Sequence, residues 1–171
     1  LGTVNMMRAL QVEMRRGADP RASLDQVLGF LDRALAINPG LVPAQVNRAT
    51  CSAVRAEYEI ARGLDPRSSL DAAAAGLEKV LAVGPMVMPL LNNLGNVHYR
   101  RGLWEAGHGI DPRASYAQVV KACEQAIAAS PSLPQAYNLM GAAWAGVAKY
   151  QVSHGVDPGP DLARAVAAYE Q

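Results

Sequence analysis

All-α, an α-solenoid of antiparallel helix pairs, is the fold class this sequence predicts, and three observations predict it. First, Gly17-Ala18-Asp19-Pro20-Arg21-Ala22-Ser23 returns as Gly63-Leu64-Asp65-Pro66-Arg67-Ser68-Ser69 and again as Gly109-Ile110-Asp111-Pro112-Arg113-Ala114-Ser115. A shortened copy, Gly155-Val156-Asp157-Pro158, opens a fourth unit, and each glycine lies 46 residues after the last. Second, Pro39, Pro85 and Pro131 keep the same 46-residue beat. Two sets of landmarks in phase mark an internal repeat. Third, apolar residues between the landmarks recur at helical spacing, and no alternating pattern argues for strands.

Residues 1–16 read as a helix, with Val4, Met7 (or Met6), Leu10 and Met14 on one face. Arg15 and Arg16 close it before Gly17, and Arg62, His108 and His154 stand before the later glycines. A base in the last turn complements the negative end of the helix dipole. The glycine then supplies the left-handed residue that ends a helix. Asp-Pro forces a turn, because proline disfavours helix in the residue before it.

Ser23 with Gln26, and Ser115 with Gln118, match a capping box; Ser69 and Asp161 are the equivalent caps. Arg21, Arg67 and Arg113 are expected to pair with the neighbouring Asp or an adjacent unit, contributing under about 1 kcal/mol if exposed. The second helix of each unit follows over 23–37, 69–83, 115–129 and 161–171. Its buried faces read Val27, Leu31, Ala34; Ala73, Leu77, Val80; and Val119, Cys123, Ala126. The landmark prolines end these helices, and longer ones span 41–62, 87–108 and 133–154. At about 1.5 Å per residue, each long helix is a rod of roughly 33 Å. Short connections make neighbours antiparallel, giving about eight helices in a single array over 1–171.

Composition narrows function. The 171 residues are 50% hydrophobic but only 5% aromatic, so closely packed helices rich in Ala, Leu and Val are expected. Sixteen basic and fifteen acidic residues give a net charge of +1 without a basic block, which argues against nucleic acid. Cys51 and Cys123 lack any CxxC or Cys/His pattern and read as buried free thiols in a reducing, cytoplasmic compartment. No apolar run reaches the roughly 18 residues that span a membrane, and no signal peptide is visible. The chain starts at Leu1 and stops mid-pattern at Gln171, which reads as a segment of a longer protein.

Catalytic chemistry finds little support. His108 and His154 read as helix-end caps, since no Cys, Asp or Glu converges on them at metal-ligand spacing. His98, beside Tyr99, reads as a packed or surface histidine. Asp25, Asp71 and Asp161 lie in first turns, where negative charge is favoured. Phosphate loops, HExxH and GxSxG are absent. No enzyme activity, cofactor or metal is therefore expected.

Tyr137, Met140, Gly141 and Trp144, with Leu91, Leu94 and Gly95 one unit earlier, resemble the first-helix pattern of the tetratricopeptide repeat. In the first unit Gln45, Arg48, Ala49 and Ser52 carry only the helix-turn-helix frame of the match. The second-helix triplets and closing prolines fit in all three units. The family unit has about 34 residues; the 46 used here lengthen the first helix and add the Gly-x-Asp-Pro-Arg turn. Long units with that turn resemble repeat arrays C-terminal to bacterial serine/threonine kinase domains. HEAT-type repeats, with periods of about 40–47 residues, are the rival reading.

The tetratricopeptide resemblance implies a superhelix whose inner helices line a concave groove for a protein or peptide partner. Carried onto this chain, the groove positions are Asn92, Asn96, Tyr99, Arg100, Gln135 and Asn138. Amide donors, a phenol and a cation there would suit a peptide backbone or carboxylate; alternatively Asn92 and Asn96 hydrogen-bond across helices. The family's two-lysine carboxylate clamp is not reproduced, as Val46, Asn92 and Asn138 stand in its places. The implied function is a protein-interaction module, in the kinase-associated reading a regulatory region. The alternative is a spacer or self-association module, pairing through Leu162, Val166 and Tyr169 on the last helix.

Overall fold

The computed structural model describes residues 19–83 and 88–171, so the helix expected over 1–16 and the landmark Pro85 lie outside the described residues. The described residues form seven α-helices and no strand. These are α1 (Arg21–Ile37), α2 (Val42–Ala61), α3 (Arg67–Val83), α4 (Met88–Gly107), α5 (Arg113–Ala129), α6 (Pro134–Ser153) and α7 (Gly159–Tyr169). The helix-turn-helix frame expected from the sequence is therefore present. The long helices run 20 residues, about 30 Å, each slightly shorter than its expected span.

The chain divides into two compact units, Leu1–Val83 and Gly84–Gln171. Within the first, α2 packs on both α1 and α3. Within the second, each helix packs on the next, and α4 also meets α6. That meeting of alternate helices positions the cavity described below.

Each repeated junction satisfies its backbone groups in the same way. Gly63, Gly109 and Gly155 take φ of 68°, 70° and 69°. The next residue's N–H can then reach back to the last turn: Leu64 to the Glu59 carbonyl at 2.8 Å, Ile110 to Glu105 at 2.9 Å, Val156 to Gln151 at 2.9 Å. The chain next restarts at proline. Pro20, Pro66, Pro112 and Pro158 each offer the carbonyl for the first helical bond, at 2.9–3.0 Å.

The caps differ from the expectation. Ser23, Ser69, Ser115 and Asp161 are not N-caps; the helices start two residues earlier. The aspartate before each proline does the work instead. Asp19, Asp65 and Asp111 accept the backbone N–H of Arg21, Arg67 and Arg113 at 3.0 Å, and Asp157 accepts that of Gly159 at 2.9 Å. The same three carboxylates take the guanidinium in a fork, with the shorter arm at 2.7 Å. The expected Asp–Arg pairing is thus present. It holds the Asp19 and Asp111 carboxyls well below their ordinary value through the side-chain bond from arginine.

Freed from capping, Ser115 is buried and donates to Glu105 Oε2 at 2.6 Å, while Arg101 holds Oε1 at 2.8 Å. One unit later Gln151 Nε2 donates to Asp161 Oδ2 at 2.8 Å. These positions are 46 residues apart, so each pair ties the end of one long helix to the start of the next short one. The second-helix faces are buried as expected, apart from Ala34, which is half-buried. Cys51 and Cys123 are buried free thiols.

Candidate functional site

The second unit holds a cavity of about 580 Å³. Its existence follows from residue size. On α6, Gly141, Ala142, Ala143, Ala145 and Gly146 replace large side chains with small ones over two turns. Facing α4 contributes Leu103, Ala106 and Gly107 near its end. The gap is floored by Tyr116 of α5, one of the largest fully buried side chains. Two glycines wedge that ring: a Cβ added at Gly102 would lie 2.7 Å from Tyr116 Cε1, and one added at Gly146 would lie 2.5 Å from Cζ.

Three more tyrosines make the walls. Tyr99 of α4 lies 6.0 Å from the Tyr116 ring, tilted at 47°. Tyr169 of α7 rests on Gly141, where an added Cβ would meet its ring carbons at 2.8–2.9 Å. Tyr150 of α6 is already engaged: the His154 ring lies 4.0 Å from it, tilted by 31°, and the Arg113 guanidinium lies 5.4 Å from its centroid. Burial pushes the Tyr116 phenol up to about 12 and raises Tyr99 as well, so both are neutral hydroxyls at neutral pH. Lys149 and Ser153 complete the polar lining, and Lys149 is the one charged residue in it.

Of the six positions expected to line a groove, Tyr99 lines this cavity. Asn92, Asn96 and Arg100 lie half-buried on α4, and Gln135 and Asn138 are exposed in the first turns of α6. None of these five lines the cavity. Asn96 Nδ2 donates to the Asn92 carbonyl of its own helix at 2.8 Å, a bond along the helix rather than across it. Sequence reasoning missed Tyr116, Tyr150 and Lys149. One signal existed: Tyr116 stands 46 and 92 residues after Leu70 and Leu24, an aromatic where the repeat has leucine.

Among the described residues, no three His, Cys, Asp or Glu side chains come together as a metal site. Burial pushes the Cys51 and Cys123 thiols up to about 11 and 12, away from nucleophilic character at neutral pH. His108 and His154 act as helix-end groups. Their Nδ1 atoms donate to the Trp104 and Tyr150 carbonyls at 2.8 and 2.9 Å; the His108 ring stacks on Trp104, and the His154 ring packs tilted against Tyr150.

A smaller hollow of about 220 Å³ in the first unit lies beside the Arg48–Asp32 pair and Lys79. Gln45 donates there to the Pro39 carbonyl at 2.6 Å. On α7, Leu162, Val166 and Tyr169 are 47%, 55% and 51% exposed. Their counterparts one unit earlier, Tyr116, Val120 and Cys123, are buried. No helix among the described residues is long and apolar enough to cross a membrane. No protein-family model matches the chain, and no curated protein matches it in sequence.

Proposed function

We propose that this chain is a protein-interaction module of tetratricopeptide-like construction, and that the cavity between α4 and α6 receives part of an extended peptide. The observation that carries the reading is the tyrosine-walled cavity itself. A volume of about 580 Å³ lies within the usual range of binding clefts. Tyrosine also supplies contact area at low entropic cost, with a hydroxyl to orient a backbone. The repeat-family reading is supported by close approach at the glycines that carry the resemblance. A Cβ at Gly95 would come within 2.9 Å of Leu139 Cδ2, and one at Gly141 would meet Tyr169.

The test is a random dodecapeptide display selection on the immobilised chain, wild type beside Ala142→Trp. Ala142 lines the cavity, is half-buried and is not one of the glycines that wedge Tyr116, so an indole there takes up cavity space. Peptides enriched by wild type and lost on the folded variant are the expected result. Enrichment unaffected by Ala142→Trp removes the cavity from the function.

A second reading has its own observation. The exposed α7 face repeats a pattern that is buried in the two preceding copies, at Tyr116, Val120 and Cys123 and at Leu70, Ala74 and Leu77. Self-association through this face predicts a concentration-dependent dimer in light scattering, abolished by Leu162→Glu with Val166→Glu. A wild-type monomer at millimolar concentration would sink this reading.

A further inference from the structure

We infer that the ligand of this cavity is an acidic–aromatic segment: an aromatic side chain seated among Tyr99, Tyr116, Tyr150 and Tyr169, followed closely by a carboxylate held by Lys149. The inference deepens the peptide reading and rests on it. Two features of the walls carry it, and both concern the sign of charge that the cavity presents.

The first is aromatic. Tyr116 is wedged between the Gly102 and Gly146 backbones, and Tyr150 is packed by His154 at a 31° tilt with Arg113 near its ring. Tyr169 lies against Gly141. A guest aromatic ring can meet these tyrosines edge-to-face or offset-stacked, and their hydroxyls can donate to it or to its backbone. Ring edges carry the positive side of the aromatic quadrupole, and phenols donate hydrogen bonds. Both attract electron-rich groups. A guest ring's face against a wall edge gives the favoured T-shaped arrangement, and peptide carbonyls suit the hydroxyls.

The second is ionic. Lys149 is the sole charged residue lining the cavity, and no carboxylate lines it. Its helical neighbours three and four positions away are Ala145, Gly146, Val152 and Ser153, so no acid on α6 is placed to pair with it. Asp111 already takes the guanidinium of Arg113, the cation over Tyr150, in a fork. Lys149 is thus the one formal charge on the lining, and the Glu105 carboxylate behind Tyr116 is already held by Arg101 and Ser115. A carboxylate on the ligand would complement Lys149, whereas a basic residue would meet repulsion.

The experiment uses the whole chain and four fluorescein-labelled dodecapeptides in a Gly/Ser background, read by anisotropy. One carries two phenylalanines each followed by glutamate. In the others, alanine replaces the phenylalanines, lysine replaces the glutamates, or both changes are made. The expected result is that the phenylalanine–glutamate probe binds most tightly. Lys149→Glu should weaken it about tenfold, equivalent to about 1.4 kcal/mol, while Lys149→Arg retains it. Raised salt should weaken the wild type and leave Lys149→Glu nearly unchanged. If display peptides bind wild type and are lost on Ala142→Trp, but the phenylalanine–glutamate probe binds no better than its counterparts, the ligand class is wrong and the peptide reading stands. If no display peptide depends on the cavity, both fail together.

Discussion

Gly146→Ala tests the wedge under the cavity. The added Cβ would sit 2.5 Å from Tyr116 Cζ, 2.7 Å from Cε2 and 2.8 Å from the hydroxyl oxygen. Tyr116 cannot retreat, because a Cβ position at Gly102 is only 2.7 Å from the same ring. Replacing glycine by alanine inside a helix ordinarily gains about 1 kcal/mol. Overpacking a confined ring costs about 1–3 kcal/mol, so a net loss of about 1 kcal/mol is expected. Tyr116→Leu supplies the control, since leucine occupies positions 24 and 70 of the same repeat. In that background the clash is gone and Gly146→Ala should stabilise by about 1 kcal/mol. The coupling between the two sites is then about 2 kcal/mol, the scale expected for contacting residues. For a chain of this size it amounts to about 4–8 °C in Tm. Thermal melts by circular dichroism at 222 nm, with urea melts for free energies, complete the cycle. If Gly146→Ala stabilises both backgrounds equally, the ring is not wedged and the floor of the cavity has been misjudged.

Gly29→Ala should raise stability by about 1 kcal/mol in a urea melt, because its added Cβ meets nothing within 4 Å in mid-α1. Gly109→Ala should lower it by about 1–2 kcal/mol, since φ of 70° is strained for any residue with a Cβ. Ser115→Ala removes the hydroxyl from the buried Glu105 carboxylate and should cost about 1–3 kcal/mol, with Ser115→Thr losing less. On the alkaline side, Tyr116, Cys51 and Cys123 all have raised pKa values through burial. Their unfolded forms ionise first, so their contribution is complete below about pH 9 and is lost as pH rises toward 11–12. Equilibrium urea midpoints should fall across that window, and a flat profile would contradict the burial of these groups.

Much of the fold was legible because the repeat states its punctuation three times. A glycine after a basic residue, then Asp-Pro, admits few backbone solutions, and Gly63, Gly109 and Gly155 adopt the left-handed one. The caps were misread for an equally local reason. Ser23-x-x-Gln26 satisfies the capping-box spacing, yet Asp19 stands two residues before the helix and is charged. A carboxylate accepting from the first helical N–H, and braced by the arginine, outcompetes a hydroxyl farther along. Proline at the N-cap then needs no side-chain bond of its own. What the serine does instead could not be read from spacing. Ser115 bonds Glu105 ten residues earlier, across a turn whose path fixes the distance.

The cavity was harder to see, and the reason is physical. A binding wall is defined by what is missing as much as by what is present, and small residues look alike whether they face a neighbour or a void. Gly102 and Gly146 are filled by Tyr116, while Ala142 and Ala145 border open space. No periodicity distinguishes these two pairs. The distinction depends on α4 and α6 meeting over α5, a contact between helices more than thirty residues apart. Once that contact is known, the repeat becomes informative again. Tyrosine at 116 is larger than the leucine at 24 and 70, and glycine stands at 102 and 146 where the sequence 46 residues earlier has Ala56 and Arg100. Size gained on α5 is thus matched by size lost on both helices above it. That compensated exchange is confined to the second unit, where the tyrosine walls and Lys149 also gather. The departure from the repeat, rather than the repeat itself, is what marks the site.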